Sequence, residues 1–387
     1  MSGGIVQLVA TGAQDAWLTG KPEVSFYRSS YKRYTHYAHS SERQLIQGNP
    51  SAGNISTIRL EKKGDLVNVI YFVAKDSTGA VIPTINWTNV IDKIELLIGG
   101  QIVDTQDINW MTNVEPITGA QNFSQRYLNN NSSGPTNTTA GFLPLKFFFC
   151  KDWNVSLPLV ALQYHDIEIR ITWSTNLGLD VSPTTGLPTP TPKYSALQYE
   201  AWTNFVYLDQ AEREYFANTP MDLLITQMNR IPIATTNMQE LALAHPIKFL
   251  AFQSNNYTAA YTGATAALPA INYQFKTQIN GVDIGDSRSM LQWSDVPQYY
   301  FTPYGYNHGA GTAASTANVA IVSYCLDTSK LQPTGTLNFS RIDTYRIVAP
   351  AGVSLSTLAG GAGRYFYAMN YNVLRIKDGM GGLLYSN

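Results

Sequence analysis

The chain has 387 residues, and only 14% of them are charged, compared with roughly 25% in an average soluble protein. The formal net charge is −1 and the pI about 6.5, so direct nucleic-acid binding is not expected, because no global positive field attracts a phosphate backbone. The chain lacks an uninterrupted apolar run of the roughly 18 residues that a membrane span needs, and Met1–Leu18 has no basic leader, so neither a transmembrane segment nor a secretion signal is expected.

The first half of the chain consists of short β-type runs between Gly, Pro, Asn and Ser clusters. Within His165–Ile171, apolar and polar residues alternate, which places Ile167 and Ile169 on one face and Glu168 on the other. Gly99-Gly100 between two apolar runs predicts a tight hairpin. The predicted strands are Ser56–Leu60, Leu66–Val73, Ile91–Ile98, Leu143–Phe149, Asp166–Trp173 and Leu197–Leu208.

The composition changes at Asp209–Ala217, a charged, helix-favouring stretch without Gly or Pro. A second series of strands follows: Ile247–Gln253, Ile271–Ile279, Asn318–Leu326, Thr336–Tyr345 and Tyr365–Ile376. The length and this repetition favour two similar all-β domains in tandem. The predicted division is an N-terminal arm at 1–23, a first β-domain at 24–208, a linker with a short helix at 209–220, and a second β-domain at 221–387.

Four long polar loops interrupt the strands: Asn109–Ala140, Ser174–Tyr194, Asn255–Ala270 and Pro303–Thr316. Loops of this length inside a compact domain usually carry contacts or function. In a β-sandwich they would cluster at the ends of the sheets. The abundance of neutral polar residues also suits wide, obligate subunit contacts, because packing such surfaces together opposes no like charges.

Aromatic and basic residues interleave in Phe26–His39. One interpretation is base stacking beside phosphate contacts. The alternative, favoured by the near-neutral remainder of the chain, is a strand or short helix whose Tyr rings pack while Arg28, Lys32 and Arg33 contact neighbouring subunits or the inner side of an assembled shell.

The sequence contains no motif that predicts catalysis, a cofactor or a metal. His165 and Asp166 are adjacent, but neighbouring side chains of a strand point to opposite faces, which favours a structural histidine over a catalytic dyad. No histidine pair has metal-ligand spacing, and phosphate-loop, dinucleotide-binding and nucleophile-elbow motifs are absent. Cys150 and Cys325 lie far apart without a Cys/His cluster, so both are expected to be free, buried and reduced.

Nine Asn-X-Ser/Thr sequons occur, a number that an Asn-, Ser- and Thr-rich chain produces largely by chance. The candidate glycosylation sites among them are Asn54, Asn86, Asn122, Asn137, Asn256 and Asn338.

Several segments, spread in order over the whole chain, resemble one protein family. They are Gly12–Asp15, Leu18–Pro22, Phe26–Arg28, Tyr31–Thr35, Glu95–Gln101, Leu143–Pro144 with Phe147–Phe149, Leu157–Leu159 with Ala161–His165, Asn338–Asp343 and Asn370–Tyr385. These segments are similar to the major capsid proteins of nucleocytoplasmic large DNA viruses, especially those of chlorella and algal viruses.

The resemblance implies a double jelly roll, two tandem eight-stranded jelly-roll β-sandwiches in one chain. It implies a structural role without enzymatic activity or cofactor: a homotrimeric, pseudo-hexagonal capsomer that tiles the outer shell of an icosahedral double-stranded DNA virus. The implied partners are further copies of the chain, neighbouring capsomers, minor capsid proteins and, through outer loops, the host surface. The implied location is the virion capsid, which assembles in the host cytoplasm. The resemblance also implies that the protein is made late in infection and can carry glycans.

Three other functions stay open at this point. The second half is shorter than in fuller family members, which leaves a minor capsid paralogue of the same fold as the alternative. A carbohydrate-binding β-sandwich or a jelly-roll glycosidase would also fit an all-β chain rich in Tyr and Trp. Neither of these two explains the ordered family-like segments.

Overall fold

The structure is a computed structural model that describes residues 3–82, 84–119, 139–140, 142–181, 192–253, 273–303, 319–359 and 363–385. Its internal contacts divide the chain into two compact units, Met1–His36 and Tyr37–Asn387.

The N-terminal unit contains two short helices, α1 (Gly3–Val9) and α2 (Ala16–Thr19). None of its described residues is buried, and the Tyr27 and Tyr31 side chains are 102% and 90% exposed. The prediction that the Tyr rings of Phe26–His39 pack within a strand or helix is therefore wrong for residues 26–36, which form neither. The first strand of the larger unit begins only at Tyr37.

The first half of the larger unit is built from antiparallel strands, apart from short 3₁₀ and helical turns. These strands are β1 (Tyr37–Gln44), β2 (Ile46–Gln47), β3 (Ile55–Arg59), β4 (Leu66–Lys75), β5 (Thr84–Ile85), β6 (Ile91–Ile98), β7 (Gln101–Asp107), β8 (Thr139–Ala140), β9 (Phe142–Pro144), β10 (Leu157–Pro158), β11 (Ile167–Trp173) and β12 (Gln198–Leu208). One sheet has the order β1-β12-β4-β10 with β9 beside β4, and the other has the order β2-β3-β11-β6-β7. A small β5-β8 pair is separate from both.

The second half repeats this plan with its own two sheets. Its strands are β13 (Met221–Pro232), β14 (Met238–Glu240), β15 (Pro246–Gln253), β16 (Gln274–Ile279), β17 (Val282–Asp283), β18 (Arg288–Ser289), β19 (Val319–Ser323), β20 (Leu337–Asn338), β21 (Tyr345–Val348), β22 (Tyr365–Lys377) and β23 (Met380–Leu383). The central sheet has the order β13-β22-β15-β19, with β20 on β15 and β23 on β22. The outer sheet has the order β14-β21-β16-β17, with β18 on β16.

Short helices lie between the strands, and capping side chains explain where the two longest of them begin. They are α3 (Glu115–Thr118), α4 (Phe148–Lys151), α5 (Gln210–Asn218), α6 (Met290–Phe301) and α7 (Leu355–Leu358). Helix α5 confirms the predicted helical stretch, and the Asp209 carboxylate caps it by accepting the Gln210 N–H. Helix α6 begins with a reciprocal capping box between Ser289 and Gln292.

Two different burial patterns distinguish the strands. In β11, Ile167, Ile169 and Ile171 are buried while Glu168 and Arg170 are half-exposed, so the predicted alternation is confirmed. In β15, six consecutive residues from Ile247 to Phe252 are buried, as expected for a strand covered on both faces.

Three predicted elements were wrong at their ends or in type. Leu143–Phe149 is a strand only to Pro144, and a buried helix follows from Phe148. Thr336–Tyr345 is not one strand, because a 3₁₀ turn at Phe339–Arg341 divides it. The loop predicted at Asn109–Ala140 begins with a buried π-helical turn at Trp110–Val114 and helix α3. The remainder of that loop, and most of the other three, lie outside the described residues apart from short pieces.

Candidate functional site

The two sandwiches share a continuous buried seam at the central sheet. Along β15, Phe249 and Ala251 belong to the first core, while Leu250 and Phe252 belong to the second. The same alternation occurs in β19 and β22, where Tyr367 faces the first core and Phe366 the second. The central sheet is therefore covered on both faces and fixes the two sandwiches to each other as one block.

Two strand edges meet at this seam through side chains rather than through a backbone ladder. Strand β13 is the edge of the central sheet, and its backbone N–H at Met228 donates to Asp104 Oδ1 of β7 at 3.0 Å. The Gln227 amide Nε2 donates to the Val103 carbonyl of the same strand. An unpaired strand edge can form backbone hydrogen bonds with another chain. These contacts cover the edges of β7 and β13 with each other.

Asp104 is buried, and it also accepts a hydrogen bond from Gln106 Nε2 at 3.1 Å. Burial raises its pKa from 3.8 to about 6, although hydrogen bonds from Met228 and Gln106 oppose the shift. The seam therefore contains a carboxyl group that changes charge in a mildly acidic range.

A buried ion pair crosses the seam beside Asp104. Arg230 Nη1 of β13 donates to Asp107 Oδ2 at 2.6 Å, and the Tyr367 hydroxyl donates to Asp107 Oδ1 at 3.2 Å. The Asp107 side chain is 1% exposed, so the guanidinium and hydroxyl replace the water that a carboxylate needs. Burial, together with the neighbouring Asp107 carboxylate, raises the pKa of Tyr367.

Amide side chains of β13 and β22 form a hydrogen-bonded network that includes Gln227, which contacts β7. Gln227 Oε1 accepts hydrogen bonds from the side-chain amides of Asn370 at 3.3 Å and Asn372 at 3.0 Å. Asn229 Nδ2 donates to Asn370 Oδ1 at 3.0 Å. Buried polar networks of this kind specify one register, because any other arrangement leaves amides without partners.

The hairpin between β22 and β23 packs against the first sandwich. Its turn is Asp378-Gly379, both at positive φ (52° and 78°), and the Gly379 carbonyl accepts the Tyr164 N–H at 3.0 Å. A Cβ on Gly379 would lie 2.5 Å from the Tyr164 ring. The glycine-rich C-terminal run thus forms a tight turn, and it also allows close approach to the other sandwich.

The segment after β19 also connects the two sandwiches. Lys248 Nζ, buried in the second sandwich, donates to the carbonyls of Thr328 at 3.1 Å and Lys330 at 3.2 Å. The Thr328 hydroxyl donates to the Thr118 carbonyl of the first sandwich at 2.8 Å. Burial lowers the pKa of Lys248 from 10.5 to about 8.

The structure places His165 and Asp166 in separate contacts. His165 Nδ1 lies 2.9 Å from the Gly381 carbonyl oxygen and 3.2 Å from its nitrogen, whereas Asp166 pairs with Arg59. His165 is therefore part of the seam. Cys150 and Cys325 are free, as predicted, and Cys325 is buried, but the prediction that Cys150 is buried is wrong, because its residue is partly exposed. Desolvation of its thiol raises the pKa of Cys150 to about 12.

The candidate glycosylation sites fall into two groups. Asn54 and Asn338 are exposed and Asn86 is half-buried, with its side-chain oxygen accepting the Thr88 N–H. Asn122, Asn137 and Asn256 lie outside the described residues. Their use stays a prediction.

Sequence reasoning did not predict the seam residues Asp104, Asp107, Gln227, Arg230 and the paired asparagines. One signal was present: Asn370 and Asn372 interrupt the otherwise apolar run of β22. Polar residues at buried positions of a strand indicate a specific partner. That partner could not be identified, because Gln227 is more than 140 residues away.

The chain matches two family models that together span most of its length. "Major capsid protein N-terminus" matches residues 25–209, and "Large eukaryotic DNA virus major capsid protein" matches residues 212–382. The major capsid protein of Paramecium bursaria Chlorella virus 1 is 31% identical, and that of Pyramimonas orientalis virus 29%, each over 100% of both chains.

Solved structures show the same relationship. The VP54 structure of PBCV-1 aligns with a TM-score of 0.70 at 25% identity, covering 94% of this chain and 100% of that one. The Faustovirus major capsid protein aligns with a TM-score of 0.58 at 11% identity, covering 95% and 94%, which supports the fold alone. The expected double jelly roll is confirmed.

The proteins that this chain resembles are named for a structural role in virus shells. Within the described ranges, no helix is both long and apolar enough to cross a membrane. The seam joins the two jelly rolls into one compact unit. On its sequence, its fold and these matches, the chain belongs to the major capsid proteins of large eukaryotic DNA viruses.

Proposed function

We propose that three copies of this chain form a homotrimeric capsomer with a pseudo-hexagonal outline. The observation that carries this proposal is the central sheet, buried on both faces, which joins two similar sandwiches into one block. Three such blocks present six similar modules, so one protein can occupy near-sixfold positions in a shell. Obligate interfaces of this kind typically bury roughly 2,000 to 5,000 Å².

Light scattering coupled to size exclusion tests the trimer on the purified full chain. A mass of three chains that persists on dilution is the expected result. A monomer that does not associate at any concentration would overturn the capsomer proposal.

We further propose that neighbouring capsomers and minor capsid proteins bind this trimer, that the outer loops contact the host surface, and that assembly takes place in the host cytoplasm. The structural role named for its relatives supports these partners. A minor shell paralogue of the same fold would be present in few copies, so quantitative mass spectrometry of purified virions separates the two roles. An abundance far below that of the main shell component would exclude the major role.

Within this role, the protein acts without catalysis and without a cofactor. The proposed division places the first jelly roll at 24–208, the linker at 209–220 and the second jelly roll at 221–387, after the arm at 1–23. The two family models, matching on either side of residue 210, support that division.

We also propose glycans on the exposed Asn54 and Asn338. The intact mass of virion-derived protein should then exceed the sequence mass, and an unmodified mass would exclude them.

A further inference from the structure

The N-terminal unit exposes large apolar side chains to an unusual degree. Trp17 is 92% exposed, Leu18 85% and Phe26 94%, and all of its other described residues are at least partly exposed. Helix α1 adds four more apolar side chains that lie open to solvent, namely Ile5, Val6, Leu8 and Val9. So many exposed large apolar side chains within residues 5–26 indicate a binding surface, because exposing them to water is unfavourable.

The part of the N-terminal unit that is richest in aromatic residues carries only positive charge. Val24–His36 contains Arg28, Lys32 and Arg33 and no Asp or Glu. The whole chain has a net charge of −1, so this segment is a local concentration of positive charge in a slightly acidic protein. The charge favours an anionic partner.

We propose that residues 3–36 form a membrane-surface arm that binds an anionic lipid bilayer. Trp and Tyr side chains prefer the interface between lipid and water, and clustered Lys and Arg are attracted to anionic headgroups. The strength with which a protein segment binds a bilayer surface increases with its buried apolar area and with its electrostatic attraction to anionic lipids, two separate signals. Helix α1 with Trp17 and Leu18 supplies the first signal, and Arg28, Lys32 and Arg33 supply the second.

A nucleic acid fits the arm less well than a bilayer does. Base stacking and phosphate contacts would use Phe26, Tyr27 and the three cations. They would leave the aliphatic side chains of α1 exposed, whereas a bilayer buries them together with Trp17.

Vesicle co-sedimentation of the purified full-length chain tests the arm. The probes are vesicles of phosphatidylcholine alone and of phosphatidylcholine mixed with phosphatidylserine. We expect binding to the anionic vesicles, weaker binding to the neutral ones, and a decrease as salt is raised. Equal binding to both vesicle types, or to neither, would overturn the proposal.

Two charge variants locate the binding surface. The triple variant Arg28→Gln, Lys32→Gln, Arg33→Gln should weaken binding by roughly 100-fold, because each cation near an anionic surface contributes about 1 kcal/mol. The matched control Arg59→Gln, Lys63→Gln, Lys330→Gln removes the same charge from side chains that are 59%, 46% and 63% exposed in the larger unit. It should bind nearly as the wild type does. The opposite ranking of the two variants would contradict the arm.

Tryptophan fluorescence gives a second, independent readout. Lipids brominated on their acyl chains quench only those indoles that enter the bilayer. Trp17→Phe should abolish the quenching, whereas Trp153→Phe, which removes an indole that is 71% exposed in the larger unit, should retain it. Quenching that survives Trp17→Phe would show that another surface enters the bilayer.

The same samples separate this proposal from the capsomer. The triple variant should keep the light-scattering mass of the wild type, so lost vesicle binding would not reflect lost assembly. A monomeric wild type that still bound vesicles would contradict the trimer and leave the arm intact. Binding of single-stranded DNA that depends on Arg28, Lys32 and Arg33, without vesicle binding, would assign the arm to nucleic acid and overturn the lipid proposal.

Discussion

The carboxylate of Asp104 accepts the backbone N–H of Met228 at 3.0 Å, and this contact helps to join the edge of the first sandwich to the edge of the second. Both residues are buried, and the acceptor is a group whose charge depends on pH. The seam thus combines a structural function with a titratable group, and its consequences for stability can be measured.

Asp104 should make the stability of the protein depend on pH. Its pKa is 3.8 in the unfolded chain and about 6 in the fold, so the folded state binds the proton more tightly. The stabilisation is complete below the unfolded value and is lost as the pH rises through about 6. The variant Asp104→Asn keeps an oxygen for Met228 and cannot ionise, but at every pH it loses the hydrogen bond from Gln106 Nε2. We therefore expect its stability relative to wild type to be higher at neutral pH than in acid, by about 1–3 kcal/mol.

Denaturant unfolding of both proteins on either side of this pH range checks the prediction. Equal differences between variant and wild type in acid and at neutral pH would show that Asp104 does not titrate there.

Removing only one partner of the Asp107–Arg230 ion pair should strongly lower the free energy of unfolding. Asp107→Ala leaves a guanidinium facing a buried site without its carboxylate, which we expect to destabilise the fold by about 3–5 kcal/mol. The double variant Asp107→Ala, Arg230→Met removes both charges and should be less destabilised than the sum of the two single variants. A double-mutant cycle measures this coupling, and additive effects would argue against the ion pair.

Gly379 should tolerate a side chain less well than another glycine with the same backbone conformation. Gly379→Ala meets both a left-handed φ of 78° and the Tyr164 ring, 2.5 Å from the new Cβ. Gly281→Ala has a φ of 81° with nothing within 4 Å, so it isolates the backbone strain, typically about 1–2 kcal/mol. We expect a larger fall in Tm for Gly379→Ala. Equal Tm values for the two variants would show that the hairpin at Gly379 is not closely packed against the first sandwich.

The second jelly roll should not be stable alone, because it buries one face of its central sheet only against the first. Residues 221–387 expressed by themselves would expose Phe249, Ile321 and Tyr367 to water. We expect this fragment to aggregate or to bind a hydrophobic dye, while the full chain stays soluble. A monomeric fragment with a cooperative unfolding transition would show that the seam is dispensable for folding.

Local sequence patterns predicted the elements whose burial is one-sided or whose turns have strong local preferences. The alternation in β11 was confirmed, as were the Gly99-Gly100 hairpin, at φ 57° and 82°, and the helix capped by Asp209. The family-like segments predicted the double jelly roll. These signals lie within a few residues of each other, so the sequence carries them without knowledge of the fold.

Prediction failed where long-range packing decides the conformation. Leu143–Phe149 has the composition of a strand, but its phenylalanines turn into the core as helix α4. Helix α6 was not predicted, because Pro297 and its aromatic residues mask the capping box that starts it. The Tyr-rich segment before Tyr37 resembled a packed element, yet it lies open to solvent.

The sequence by itself determined the all-β class, the two-part organisation and the family, because hydrophobic period, turn residues and ordered motifs are local properties. Only the tertiary structure decided that the central sheet serves two cores and that Asp104, Asp107 and Gln227 face β13 and β22. The physical reason is that a buried polar group is stable only with a partner, and the partners in this seam lie more than 120 residues away along the chain.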